Sequence, residues 1–204
     1  MKIIASVLCV GMFLLSGCAG LKIERGATAD NVFYSTGLPK LKVQVDKSFE
    51  YLGDTNRPTG VTYSNAPAGF GSRKSKIETH VFFNKEKSRV ISIDISRAPT
   101  DGGWVVPKAH DWGAVKTDRE LPTPKFVIQR GHELPDFLLV GSLSFNADNG
   151  MTSVSIRYVE PISPSQYSDL VKKKYEELND ASKVYIDDFM KRADSTYTLL
   201  EGKS

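Results

Sequence analysis

Cysteine is nearly missing from this chain. Both of its cysteines, Cys9 and Cys18, fall within the first twenty of 204 residues. The remainder therefore holds no thiol nucleophile, no disulfide and no thiolate metal site. Charge of one sign is missing as well. Lys and Arg number 27 against 24 Asp and Glu, a net of +3 spread along the chain, which provides no basic footprint for nucleic acid. The usual catalytic signatures are absent too: the sequence contains no G-x-S-x-G elbow, no S-x-x-K, no P-loop and no H-E-x-x-H. What is present, 40% hydrophobic and 25% charged residues, suits one globular domain with a real core, with no internal repeat.

The first element with a clear reading is the leader. Met1 and Lys2 form a minimal positive start, and residues 3–15 are apolar or small apart from Ser6. That run is too short for a permanent membrane-spanning helix and reads as an export signal. It closes on Leu15-Ser16-Gly17-Cys18. This tetrad resembles the lipobox of bacterial lipoprotein precursors, in which a dedicated peptidase cuts before the cysteine. The resemblance implies a signal peptide over 1–17 and a lipid on Cys18, whose sulfur takes a diacylglyceryl group and whose new amino terminus is often acylated as well. Two or more acyl chains, at about 0.8 kcal/mol per buried methylene, make a durable anchor. If the host is Gram-negative, the resemblance further implies that Ala19, in place of an aspartate that retains such proteins at the inner membrane, sends the protein to the outer membrane, facing the periplasm. Residues 18–30 read as the lipidated cysteine and a tether, and 31–204 as a single domain.

Strands dominate that domain. In LKVQVD, residues 41–46, apolar Leu41, Val43 and Val45 alternate with polar neighbours, the period of a half-buried strand. KIETHVFF and VISIDIS, joined by Lys85-Glu86-Lys87-Ser88, predict a hairpin with Glu78 and His80 on a wet face. FLLVGSLSF and TSVSIRYV predict a second hairpin across the turn residues NADNG, and KFVIQ, residues 125–129, a neighbouring strand. The period then becomes helical. Ser163, Pro164 and Gln166 make a capping box, and Tyr167, Leu170, Val171, Tyr175 and Leu178 follow at helical spacing. Asn179 or Asp180 caps a second helix or bends the first, and Ile186, Phe189, Met190, Ala193, Tyr197 and Leu200 form the apolar stripe that follows. The expectation is an α+β fold: an antiparallel sheet of about six or seven strands with the C-terminal helices on one face. That arrangement is similar to small envelope lipoprotein domains of unknown function in Gram-negative bacteria.

Candidate site residues are few. HDWG, residues 110–113, and GHELPD, residues 131–136, each place a histidine before a carboxylate in expected loops. If the loops met, His110, Asp111, His132 and Glu133 would offer ligands to a divalent metal or an acid/base pair. Trp104 and Trp112 flank the first pair, as aromatic faces that stack on sugars or anchor an interface do. The stretch 54–75, punctuated by Gly, Pro, Asn and Ser and carrying Arg57, Arg73 and Lys74 with only Asp54 opposing them, reads as an ordered excursion or a mobile loop, and as a place where an acidic partner or an anionic envelope polymer would bind. The expected function is non-catalytic: a lipid-anchored binding or scaffolding protein without metal or cofactor, whose partner is the membrane and an envelope protein or glycan. The alternative is a hydrolase of an envelope polymer, and the two separate on whether the histidines and their carboxylates converge.

Overall fold

A computed structural model describes residues 22–61, 73–97, 109–117 and 122–201. In chain order these form β1 (Arg25–Ala27), β2 (Val32–Thr36), β3 (Lys40–Val45), β4 (Glu50–Val61), β5 (Arg73–Asn84), β6 (Arg89–Arg97), β7 (Ala109–Lys116), α1 (Pro122–Gln129), β8 (Phe137–Ala147), β9 (Thr152–Pro161), α2 (Pro164–Leu170), α3 (Asp180–Thr196) and β10 (Tyr197–Glu201). The fold is α+β and mostly antiparallel sheet, but the strands make two sheets rather than one. The larger has the order β4-β5-β6-β9-β8-β7 and the smaller β1-β2-β3-β10. Among the described residues, no helix is long and apolar enough to cross a membrane.

Turn chemistry explains the hairpins. Between β8 and β9, Asp148, Asn149 and Gly150 all take positive φ, a conformation that Asn, Asp and Gly tolerate best. In β4 a bulge between Tyr51 and Gly53 requires a φ of 112° at Gly53, which only glycine adopts freely. The helical signals are realised at α2 and α3. The Ser163 side chain accepts from the Gln166 backbone while the Gln166 side chain accepts from Ser163 N–H, and Asn179 accepts from Ser182 N–H.

The large sheet has an inner and an outer face. On the inner face, Phe82, Ile91, Ile93, Ile95, Val154, Ile156 and Tyr158 share one core with Phe33, Leu41, Val43 and Val45 of the small sheet and with Ile186 and Phe189 of α3. A Cβ added at Gly141 would lie 3.0 Å from Phe189 Cε1, so the absent side chain sets how closely α3 approaches β8. On the outer face a smaller cluster gathers Val81, Phe83, Val90, Leu138 and Val159 against Phe126 and Val127 of α1.

Several expectations change. The described helices are divided between the faces, with α1 on the outer one, and the inner face is covered largely by the small sheet. Residues 125–129 are helix, because Pro122 and Pro124 sit in its first turn, where their missing N–H groups leave no bond unmade. Gly131, at φ 85°, ends that helix, and its N–H bonds Ile128 O at 2.9 Å. Tyr197 and Leu200 are strand residues, since β10 pairs with β3, and Leu200 is exposed. β1 lies within the stretch expected to be tether. His80 is buried, not wet, because the small sheet covers it.

Candidate functional site

The histidine pair does not assemble. His132 packs its ring on Phe83 of β5, with centroids 4.5 Å apart, whereas His110 stands in β7 opposite Leu143. β5 and β7 are four strands apart, about 19 Å at the usual spacing of about 4.8 Å. Asp111 is exposed, and its Oδ1 accepts from Trp112 N–H at 2.8 Å. Glu133 is exposed beyond α1. Trp112 packs against the main core instead of offering a face to a sugar, and Trp104 lies outside the described residues. No group of three or more His, Cys, Asp or Glu able to hold a metal occurs among the described residues.

Two polar clusters sit inside the core. Between the sheets, His80 is 1% exposed. Its Nε2 donates to Glu78 Oε1 and its Nδ1 accepts from the Tyr51 hydroxyl, both at 2.8 Å, roles that follow from an ionised Glu78. Arg25 of β1 closes the chain on the other Glu78 oxygen and also donates to Ser35 Oγ at 3.1 Å. Burial pushes the Tyr51 hydroxyl up to about 12. With Phe33 tilted against His80 at 4.6 Å, this chain runs from buried His80 to part-exposed Glu78 and Arg25 and clamps the small sheet to the large one. The second cluster centres on buried Glu160, which accepts from Tyr158 at 2.9 Å and Arg192 at 2.6 Å and pairs with Arg89 at 3.2 Å. It fastens α3 to β9. A concavity of about 230 Å³ beside α2 and α3 includes Gln166 and Asn179 in its lining, but both side chains are committed to helix caps.

The group with hydrogen-bonding capacity to spare is on the outer face. Paired residues in an antiparallel sheet point to the same side, and the register strings Thr55, Thr79, Asp94, Ser155 and Ser144 into one row across five strands. One flanking row runs Val81, Ser92, Arg157, Ser142 and Asp111, and the other Arg57, Ile77, Ser96, Ser153 and Asn146. Arg157 and Arg57 come from opposite flanks and both reach Asp94 Oδ2, the latter at 3.6 Å. Four buried atoms here have no hydrogen-bond partner among the described residues: Arg57 Nε, Thr79 Oγ1, Ser92 Oγ and Asp94 Oδ1. A buried polar group left unpaired costs about 1–3 kcal/mol, and native folds keep such groups few. Four within one patch make it the part of the described structure with the most hydrogen-bonding capacity to spare.

Of the residues named from sequence, Asp111 and Arg57 lie on this face, Arg57 in β4 and not in a loop. The signal for the others was present as polar residues at alternate positions, in Ser92-Ile93-Asp94-Ile95-Ser96, Ser142-Leu143-Ser144 and Ser153-Val154-Ser155-Ile156-Arg157. What alternation alone could not supply was the register that sets three such segments side by side. No family model, curated protein or solved structure matches the chain.

Proposed function

We propose that the chain is a lipid-anchored protein of the bacterial cell envelope, attached through Cys18 to the outer membrane of a Gram-negative host and facing the periplasm, whose folded part is a non-catalytic binding module. The attachment rests on the charged-then-apolar leader ending in Leu15-Ser16-Gly17-Cys18. The binding role rests on one observation, the outer face of the large sheet with its unpaired buried polar atoms. A hydrolase built on His110 and His132 would need them together, and the strand that carries His110 stands four from the one on which His132 packs.

The tether is shorter than sequence alone suggests. Glu24 is already fixed, its N–H bonding Thr36 Oγ1 at 2.9 Å and its carbonyl accepting from Thr36 N–H at 3.0 Å. The six steps along the chain from Cys18 to Glu24 span at most about 20 Å, which holds the module near the headgroups. Cys18→Ser is expected to abolish incorporation of labelled palmitate and to move the exported protein from the membrane to the soluble fraction. Retention in salt-washed membranes despite the substitution would overturn the anchor.

A further inference from the structure

We propose that the outer face around Asp94 is the ligand site of this module, and that it takes a polar ligand bearing one anionic group, carboxylate or phosphate, flanked by hydroxyls, as in an acidic sugar. The assignment rests on the reading of the protein as a binding module.

The shape follows from residue size. Thr55, Thr79, Asp94, Ser155 and Ser144 are all short, so the row they form is a shallow trough across the strands. Longer arginines rise from either flank. Arg57 and Arg157 keep 34% and 35% of their side chains exposed while converging on Asp94, whose side chain is 7% exposed. Two guanidinium groups against one carboxylate leave one positive charge, and both share a single oxygen of Asp94, which leaves each fork with N–H donors to spare.

The demand on the ligand is two-sided. The positive charge and spare donors call for an anion, and the planar guanidinium suits carboxylate or phosphate. Asp94 Oδ1 needs a donor, and the Thr79 and Ser92 hydroxyls need a partner that donates or accepts. Hydroxyls beside the anion meet both needs, because each donates and accepts. A simple anion leaves Oδ1 unmet and a neutral sugar leaves the charge unmet. The rest of the face, from Ser142, Ser144, Ser153 and Ser155 to Asp111 at the β7 edge, is half-buried or exposed and polar, so a ligand extending along the trough meets more of the same chemistry.

The experiment titrates the full-length, detergent-solubilised protein with D-glucuronate, glucose 1-phosphate and glucose, following backbone amide shifts, and assays each probe and a glucuronate oligomer for breakdown. Arg157→Gln removes one fork. Ser155→Leu fills the trough beside Asp94 while leaving all three charges in place, and its unchanged far-ultraviolet spectrum guards against misfolding. The expected result is binding of an acidic probe, with shifts centred on Thr79, Ser92, Asp94, Ser144 and Ser155, at least about tenfold tighter than glucose and weakened at least about tenfold by either variant. Which acid binds tells a carboxylate source from a phosphate source. Binding of neither acid, equal binding of glucose, or insensitivity to both variants would overturn the proposal. Shifts mapping to another surface would overturn this site while leaving the binding module standing. Breakdown of a probe that both variants abolish would keep the site and overturn the non-catalytic reading.

Discussion

Glu78 links buried His80 to Arg25 of β1, so acid that protonates its carboxyl reaches the joint between the sheets. The hydrogen bond from His80 holds the Glu78 carboxyl below the usual carboxylate range, helped by the Arg25 charge and opposed by burial. A carboxyl depressed in the folded state contributes stability that is fully present above its unfolded value, about 4.3, and is lost as pH falls through the lower folded value. Glu78→Gln is therefore expected to unfold at lower urea at pH 7, by about 1–3 kcal/mol, and to lose less on going from pH 5 to pH 3 than the wild type does. Asp46, held low by its hydrogen bonds from Ser48, keeps some acid dependence in the variant. An unchanged pH slope would show that Glu78 carries no such coupling. Gly141 has a different sensitivity. With Phe189 Cε1 at 3.0 Å, Phe189 Cζ at 3.2 Å and Met190 Sδ at 3.3 Å from an added Cβ, Gly141→Ala overpacks the α3–β8 contact and is expected to cost about 1–3 kcal/mol, about 2–12 °C in melting temperature. A melting temperature within 1 °C of wild type, on the order of the smallest shift expected of a surface change, would show that α3 yields freely.

At the scale of elements, local signals were legible wherever the cause is local. The capping box at Ser163 and the Asn179 cap satisfy orphan N–H groups with side chains a few residues away, and sequence spacing alone identifies them. Ser163→Ala is accordingly expected to cost about 1 kcal/mol in a urea titration, and Ser163→Asp to restore most of it. A full-size loss with the aspartate would place the effect outside capping. Elements decided by distant partners were not legible. Tyr197 and Leu200 continue the spacing of the α3 stripe, yet the backbone leaves the helix at Thr196 because β3 offers an edge that β10 completes. Glu78 and His80 alternate as wet-face residues should, but the small sheet lies over them, and only a tertiary contact decides that. The outer face is an intermediate case. Its period of two was visible strand by strand, and its identity as a site depends on a register spread over five strands.

Over the whole molecule, the two sheets cannot separate without exposing the core they share. Phe33, Leu41, Val43 and Val45 from the small sheet are fully buried against Phe82, Ile91 and Ile93 of the large one. At about 1.5–3 kcal/mol for burying each such side chain, opening that seam forfeits a sum of the same order as the 5–15 kcal/mol that holds a typical domain. The chain reinforces the seam at both ends, because Arg25 of β1 is bound to Glu78 of β5, while α3 rests on the large sheet and runs directly into β10 of the small one. The small sheet is thus built into the core of the large one, and the described strands are expected to unfold as one cooperative unit. Native-state hydrogen exchange is expected to give the slowest amides of β3, at Val43, and of β6, at Ile93, the same opening free energy within about 0.5 kcal/mol, with equal dependence on urea. A chain ending at Thr196, which deprives β3 of its β10 partner, is expected to lower both values together. Exchange at Val43 through an opening several kcal/mol below that of Ile93, or a truncation that lowers only β3, would show that the small sheet opens alone and would reduce the shared core to a contact between two independent units.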